Sequence, residues 1–187
     1  MSVTRWYFGL DAETIQQGHH PDFFRGQQTA FSVHASMEAA EPRSDGTATA
    51  GRVEDCHYDV VARVVAVAGD SWVLDCGLLV HAEGHEPVLE VAVGQWTAGR
   101  ARLEVSPAAD AEAGFSLDDG VRLTRTWYVE RVHHRVDVDE ALIDPRLAAL
   151  EPVEAGWEEL AFTESWHDDG GAAYYLLECV LAENQDP

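Results

Sequence analysis

Histidine is the side chain of this chain best suited to chemistry: nine are present, and most fall in clusters. They stand at His19 and His20, at His81 and His85, at His133 and His134, and at His167 beside Asp168 and Asp169. Neutral imidazole is a common metal ligand, and carboxylates complete such sites. Spacing limits what these clusters can do. Adjacent residues of a strand point to opposite faces, so neither His-His pair clamps one ion unless it lies in a turn. The HAEGH at 81–85 departs from the HExxH that a helical zinc protease needs. His81 and Glu83 have the H-x-E spacing of a zinc deaminase, but no PCxxC follows and Cys179 stands by itself. A divalent-metal site would therefore be assembled in space, from His81, His85, His167 and Asp168, rather than from one contiguous motif.

Other catalytic signatures are missing. The chain has no GxSxG elbow and no GxGxxG, and with no lysine in the sequence a GxxxxGK[ST] loop is impossible. Carboxylate pairs such as Glu158-Glu159 and Asp118-Asp119 carry no information in so acidic a chain, because a glycosidase needs a defined separation in space. The three cysteines, Cys56, Cys76 and Cys179, are odd in number and lie among apolar residues without a CxxC. They read as buried free thiols, with neither a redox pair nor a zinc knuckle indicated.

Charge is the strongest signal in the composition. Twelve basic residues, all arginine, stand against 34 acidic ones, a net charge of −22. Such a chain repels nucleic acid and anionic lipid and attracts a basic partner. A generally acidic proteome gives the same composition without any partner. Against this background Arg100, Arg102, Arg122 and Arg125 are expected to pair internally with carboxylates. Trp72, Trp127 and Trp157 lie in strand patterns and read as core, whereas Trp96 and Trp166 border turns and read as contact residues. The HDDGG at 167–171 is a turn by composition, since Asp and Gly tolerate positive φ.

The elements that must position these residues are mostly strands. Residues 3–9 form a short aromatic run, followed by a polar segment with room for a helical turn before Pro21. From Thr29, Phe31, Val33, Ala35 and Met37 alternate with polar residues. Residues 38–51 have no periodicity and read as a mobile loop. Tyr58, Val60, Ala62, Val64 and Ala66 alternate along a long strand that turns at Gly69-Asp70 and returns as SWVLDCGLLV. Ala101, Leu103 and Val105 share a face further on. Residues 52–106 resemble, at the level of the fold, a small OB-type barrel, in which a long first strand bends and shares two edges. Residues 121–138 read as one long strand or two joined by a bend, and Asp144-Pro145 opens a helical pattern. The end reads as a hairpin of WEELAFTESW and AAYYLLECVL, the last strand apolar on both faces and so central in a sheet.

The expected fold is mainly β, a β-rich α+β chain: an antiparallel meander or small OB-like barrel with a C-terminal β-hairpin and one short helix, in one domain over 1–187. The first residues show no charged segment leading into an apolar run, and no stretch is long enough to span a membrane, which points to the cytoplasm. The expected function is a non-enzymatic acidic domain that engages a basic protein, as an inhibitor or immunity-type protein would, through Trp96, Trp166, Asp168, Asp169 and Glu83. A metal-binding enzyme or sensor and a structural or assembly subunit are the alternatives.

Overall fold

The computed structural model describes residues 4–83, 92–107, 115, 122–136, 156–166 and 173–182. Its elements in chain order are β1 (Arg5–Asp11), α1 (Ala12–Gln16), β2 (Gln28–Phe31), β3 (Val33–Arg43), β4 (Thr49–Glu54), β5 (His57–Ala68), β6 (Ser71–Asp75), β7 (Leu79–Glu83), β8 (Trp96–Val105), β9 (Arg125–Val136), β10 (Gly156–Leu160) and β11 (Tyr174–Leu181). The chain is mainly β, and among the described residues α1 is the one short helix, capped where Asp11 accepts the Glu13 amide and anchored by buried Ala12 and Ile15.

Five strands close into a barrel: β5 pairs β6, β6 pairs β7, β7 pairs β3, β3 pairs β8, and β8 returns to β5. All contacts are antiparallel except β3 with β7, where His34 faces His81. Alternation on β5 fills the interior, with Tyr58, Val60, Ala62, Val64 and Ala66 all buried. β5 bends as the sequence pattern requires. Its first half lies between β4 and β8, and from Arg63 onward it pairs β6, with a register shift between Val64 and Ala66. A bulge of this kind bends the strand and lets a small barrel close. The return at Gly69-Asp70 uses a glycine at φ +61.

A second set of strands extends from the barrel. β1 pairs β11, β11 pairs β9, and the far edge of β9 carries β2 and then β10. β1 meets the barrel through one parallel pair, Gly9 with Glu104 of β8. One buried cluster runs through both parts. At its centre the Trp127 ring sits 4.9 Å from Phe8 and 5.6 Å from Phe31, and its indole N–H donates to the Phe31 carbonyl at 3.2 Å.

Three expectations change. The alternating run from Thr29 is not one strand: it breaks at Ser32, so that β2 joins β9 while β3 joins β8. Residues 38–51 are mostly strand, with only 44–48 connecting β3 to β4. Pro42 had obscured this, and it is tolerated because β3 pairs β7 only at His34 and Ala35, leaving an edge further on. The C-terminal hairpin does not form, because β9 lies between β10 and β11. β11 is buried from Tyr175 to Cys179 and takes long neighbours on both edges, β1 and β9, whereas the half-exposed β10 stays outside. The helical pattern after Asp144 and the turn at 167–171 lie outside the described residues.

Gly9 marks the closest approach between the two parts. A Cβ there would sit 1.8 Å from the Tyr174 hydroxyl oxygen and 3.1 Å from Cys56 Sγ. Gly9→Ala is expected to destabilise the protein by about 1–3 kcal/mol, the usual cost of overfilling a well-packed site. Urea unfolding of Gly9→Ala, Tyr174→Phe and the double variant checks this. The double variant should be less destabilised than the sum, and strict additivity would refute the clash.

Candidate functional site

The residues expected to act together do not assemble into a metal site. His81 is buried on β7, its ring 5.6 Å from His34 and 5.5 Å from Phe115, with Nε2 4.0 Å from Glu83. Its Nδ1 has no hydrogen-bond partner among the described residues. His85, His167, Asp168 and Asp169 lie outside those residues. Among the described residues, no three His, Cys, Asp or Glu side chains converge in a way that would hold a metal. Trp166 is 66% exposed. Trp96 is half-buried instead, since a Cβ on Gly46 would lie 2.8 Å from its ring.

All three cysteines are buried free thiols, and desolvation raises their pKa, to about 11 for Cys76. Cys56 Sγ lies 3.3 Å from the Tyr174 hydroxyl, which donates to Glu104 at 3.2 Å, and Glu104 pairs with Arg102 at 2.9 Å. Burial also raises the Tyr174 pKa, so this cluster offers neither a thiolate nor a phenolate near neutral pH. It belongs to a clamp in which the β4–β5 turn folds over the outer face of β1, β11 and β10. Arg52 stacks on Tyr7 with its guanidinium carbon 3.4 Å from the ring centroid, and it donates to the Asp55 carbonyl at 2.8 Å. Asp55 accepts from the Trp157 indole at 2.8 Å, and the Tyr58 hydroxyl accepts from the Tyr7 amide at 2.7 Å. Asp55 holds a positive φ of 41, affordable for Asp in a two-residue turn.

Among the described residues, two grooves offer room for a ligand. One, of about 520 Å³, crosses β1, β11 and β9 and is lined by Arg5, Arg25, Arg131, Glu130, Glu178 and Tyr128. A register shift between Glu178 and Cys179 leaves Glu130 as the extra residue of β9. Each arginine there already faces a carboxylate: Arg5 lies 2.7 Å from Glu130 and 3.3 Å from Glu178, while Arg25 and Arg131 lie 2.9 Å and 4.0 Å from Glu159. This groove is neutralised from within.

The second groove, of about 760 Å³, lies on the outer wall of the barrel across β4, β5, β8 and β3. Register builds it. Thr49, Val61, Ala98 and Glu41 stand in one row across the four strands, and Gly51, Asp59 and Arg100 in the next. Small side chains make the floor. Glu38 is the extra residue of a β3 bulge between Met37 and Ala39, and it reaches His57 at 3.5 Å. Arg100 pairs with Asp59 at 3.1 Å and Arg102 with Glu104, the internal pairing that the composition implied. Glu41 and Glu54 are exposed on this wall with no ion pair among the described residues. Sequence reasoning missed the groove because half of it comes from 38–51, read as a loop. The signal available was the cluster of small residues, Ala48, Thr49, Ala50 and Gly51 with Ala98 and Gly99.

Compared with protein-family models, with curated proteins and with solved structures, the chain gives no match in any of the three. No helix among the described residues is long and apolar enough to cross a membrane.

Two outcomes follow from the buried groups. In the folded protein none of the three thiols should react with a disulfide-exchange reagent at mildly alkaline pH, and all three should react in denaturant. Rapid labelling of the folded chain would refute their burial. Desolvation lowers the His81 pKa from 6.5, outweighing Glu83, so the unfolded chain takes up this proton first. The contribution of neutral His81 is complete above pH 6.5 and is lost as pH falls below that value towards the folded-state pKa. Urea midpoints of the wild type should therefore drop on acidification relative to those of His81→Gln; parallel curves would show that His81 does not titrate in this way.

Proposed function

We propose that this chain is a non-catalytic binding domain that receives a basic protein partner on the groove of β3, β4, β5 and β8, as an inhibitor or immunity-type protein does. The observation that carries the reading is the pairing of a small-residue floor with a carboxylate rim. Glu38 lines the floor and Glu41 and Glu54 stand beside it on the same wall, where Arg100 and Arg102 are already paired with Asp59 and Glu104 and Arg43 and Arg63 border the Trp96 end. A floor of small side chains leaves room for the long side chains of a partner, and the rim supplies charge for arginine or lysine. The net charge of −22 adds long-range attraction, which raises the association rate and makes it sensitive to salt. Among the described residues, the thiols are buried and the arginine groove is neutralised from within.

The test is a binding titration with a panel of small basic proteins at low and at high salt. Binding should weaken as salt rises. Replacing Glu38, Glu41 and Glu54 together by Gln should weaken it about tenfold, at roughly 0.5 kcal/mol for each rim charge. A control set away from the groove, Glu13→Gln with Asp70→Asn and Glu164→Gln, should leave affinity nearly unchanged. Equal losses from both sets would reduce the effect to net charge and refute the groove as the site.

A further inference from the structure

We infer that the basic partner enters as an extended segment that adds a strand to the free edge of β4, with Arg or Lys at alternate positions. This rests on the reading of the groove as the partner's site and specifies how the partner binds there.

β4 ends the strand order, and among the described residues nothing pairs with its outer edge. Its six residues are exposed except for half-buried Ala50. Edge strands are usually protected by Lys, Pro or a bulge. β4 has neither Lys nor Pro, and its bulge lies at the far end between Arg52 and Glu54, leaving Thr49 to Gly51 regular. The glycine in this stretch has no internal reason to be one. A Cβ on Gly51 would meet only the Asp59 carbonyl oxygen at 3.8 Å, and Gly51 is not among the residues of positive φ. The missing side chain instead leaves the groove open beside the edge, as where another backbone approaches closely.

Charge selects the occupant. A strand laid on β4 turns every second side chain towards the groove face, where it passes over Gly51 to Asp59 on the neighbouring strand and lies beside Glu54 of β4 itself. The intervening side chains meet Ala50 and Arg52, so small or apolar residues suit those positions and basic ones do not. A second copy of this chain would bring Glu54 and a net charge of −22 against the same edge.

The probe is a capped peptide of about seven residues, alternating arginine with valine or threonine, long enough to span β4. Two analogues are N-methylated, one on every arginine nitrogen and the other on every spacer nitrogen. Strand addition uses the N–H groups of one peptide edge only, so one analogue should lose about tenfold or more in affinity and the other should bind like the parent. Equal binding by all three, or equal loss by both analogues, overturns strand addition and leaves the groove reading intact. A parent peptide that fails to bind while basic proteins still bind at the groove also overturns strand addition. Failure of peptide and proteins alike overturns the groove reading itself. Gly51→Val has room for its side chain and should keep its melting temperature while binding the parent peptide several-fold more weakly; unchanged affinity overturns the inference. A doubled mass in light scattering that the peptide does not disrupt would assign the edge to a second copy and overturn it as well.

Discussion

Closure of the barrel through the ladder of β5 on β8 is the constraint from which the rest of the structure follows. Seven register pairs run from His57 with Arg102 to Arg63 with Trp96. Because side chains alternate with period two, this register decides every residue's face on both strands at once. It turns Tyr58, Val60 and Ala62 inward with Ala101 and Leu103, and it brings Asp59 beside Arg100 and Val61 beside Ala98 on the outer wall. A slip of one residue would bury Asp59 and Arg100 and expose the core. The same ladder leaves β5 free on its other edge, where β4 takes the first half and β6 the second. That β4 has an edge with no neighbour among the described residues is thus a consequence of how the barrel closes.

The second part of the molecule is fastened to that barrel by close contact more than by sheet pairing. β1 shares one parallel pair with β8, and a single ladder position would not hold two sets of strands. Contact elsewhere does so. Tyr174 crosses over Gly9 to reach Cys56 and Glu104, and the turn between β4 and β5 brings Arg52 onto Tyr7 and Asp55 onto Trp157. Beneath this, Phe8 and Trp127 join the buried cluster that also holds Tyr58 and Leu103. The polar contacts fix orientation, while the buried apolar area supplies most of the stabilisation. This arrangement also ties β4 at its Arg52 end and leaves its Thr49 end beside the open groove.

Electrostatics divides along the same line. In the groove of β1, β11 and β9 each arginine has a carboxylate within 4.0 Å, and the bulge that frees Glu130 helps to bring them together. On the barrel wall Arg100 and Arg102 are matched by Asp59 and Glu104, and Glu38 faces His57, so Glu41 and Glu54 are left without an ion pair among the described residues, while Arg43 and Arg63 flank Trp96 in the next row. Exposed pairs of this kind contribute little to stability, so their main effect is to decide where the surface is neutral and where it is negative.

What the sequence by itself determined is local: which residues alternate, which turns need glycine, and how much charge the chain carries. The interior of β5, the Gly69-Asp70 turn, the shared face of Ala101, Leu103 and Val105, the central place of β11 and the internal pairing of Arg100 and Arg102 were all legible because they depend on period two or on composition. The barrel was legible through the length of β5, which is more than one neighbour can cover. Tertiary structure decided what depends on non-local partners. The break at Ser32 between two sheets, the placing of β9 between β10 and β11, and the strand character of 38–43 around Pro42 all depend on which edge lies alongside, and a single chain's pattern does not encode an edge. For the same reason the candidate groove was not legible: its rows join Thr49, Val61, Ala98 and Glu41 from four strands, and only the closed register sets them side by side.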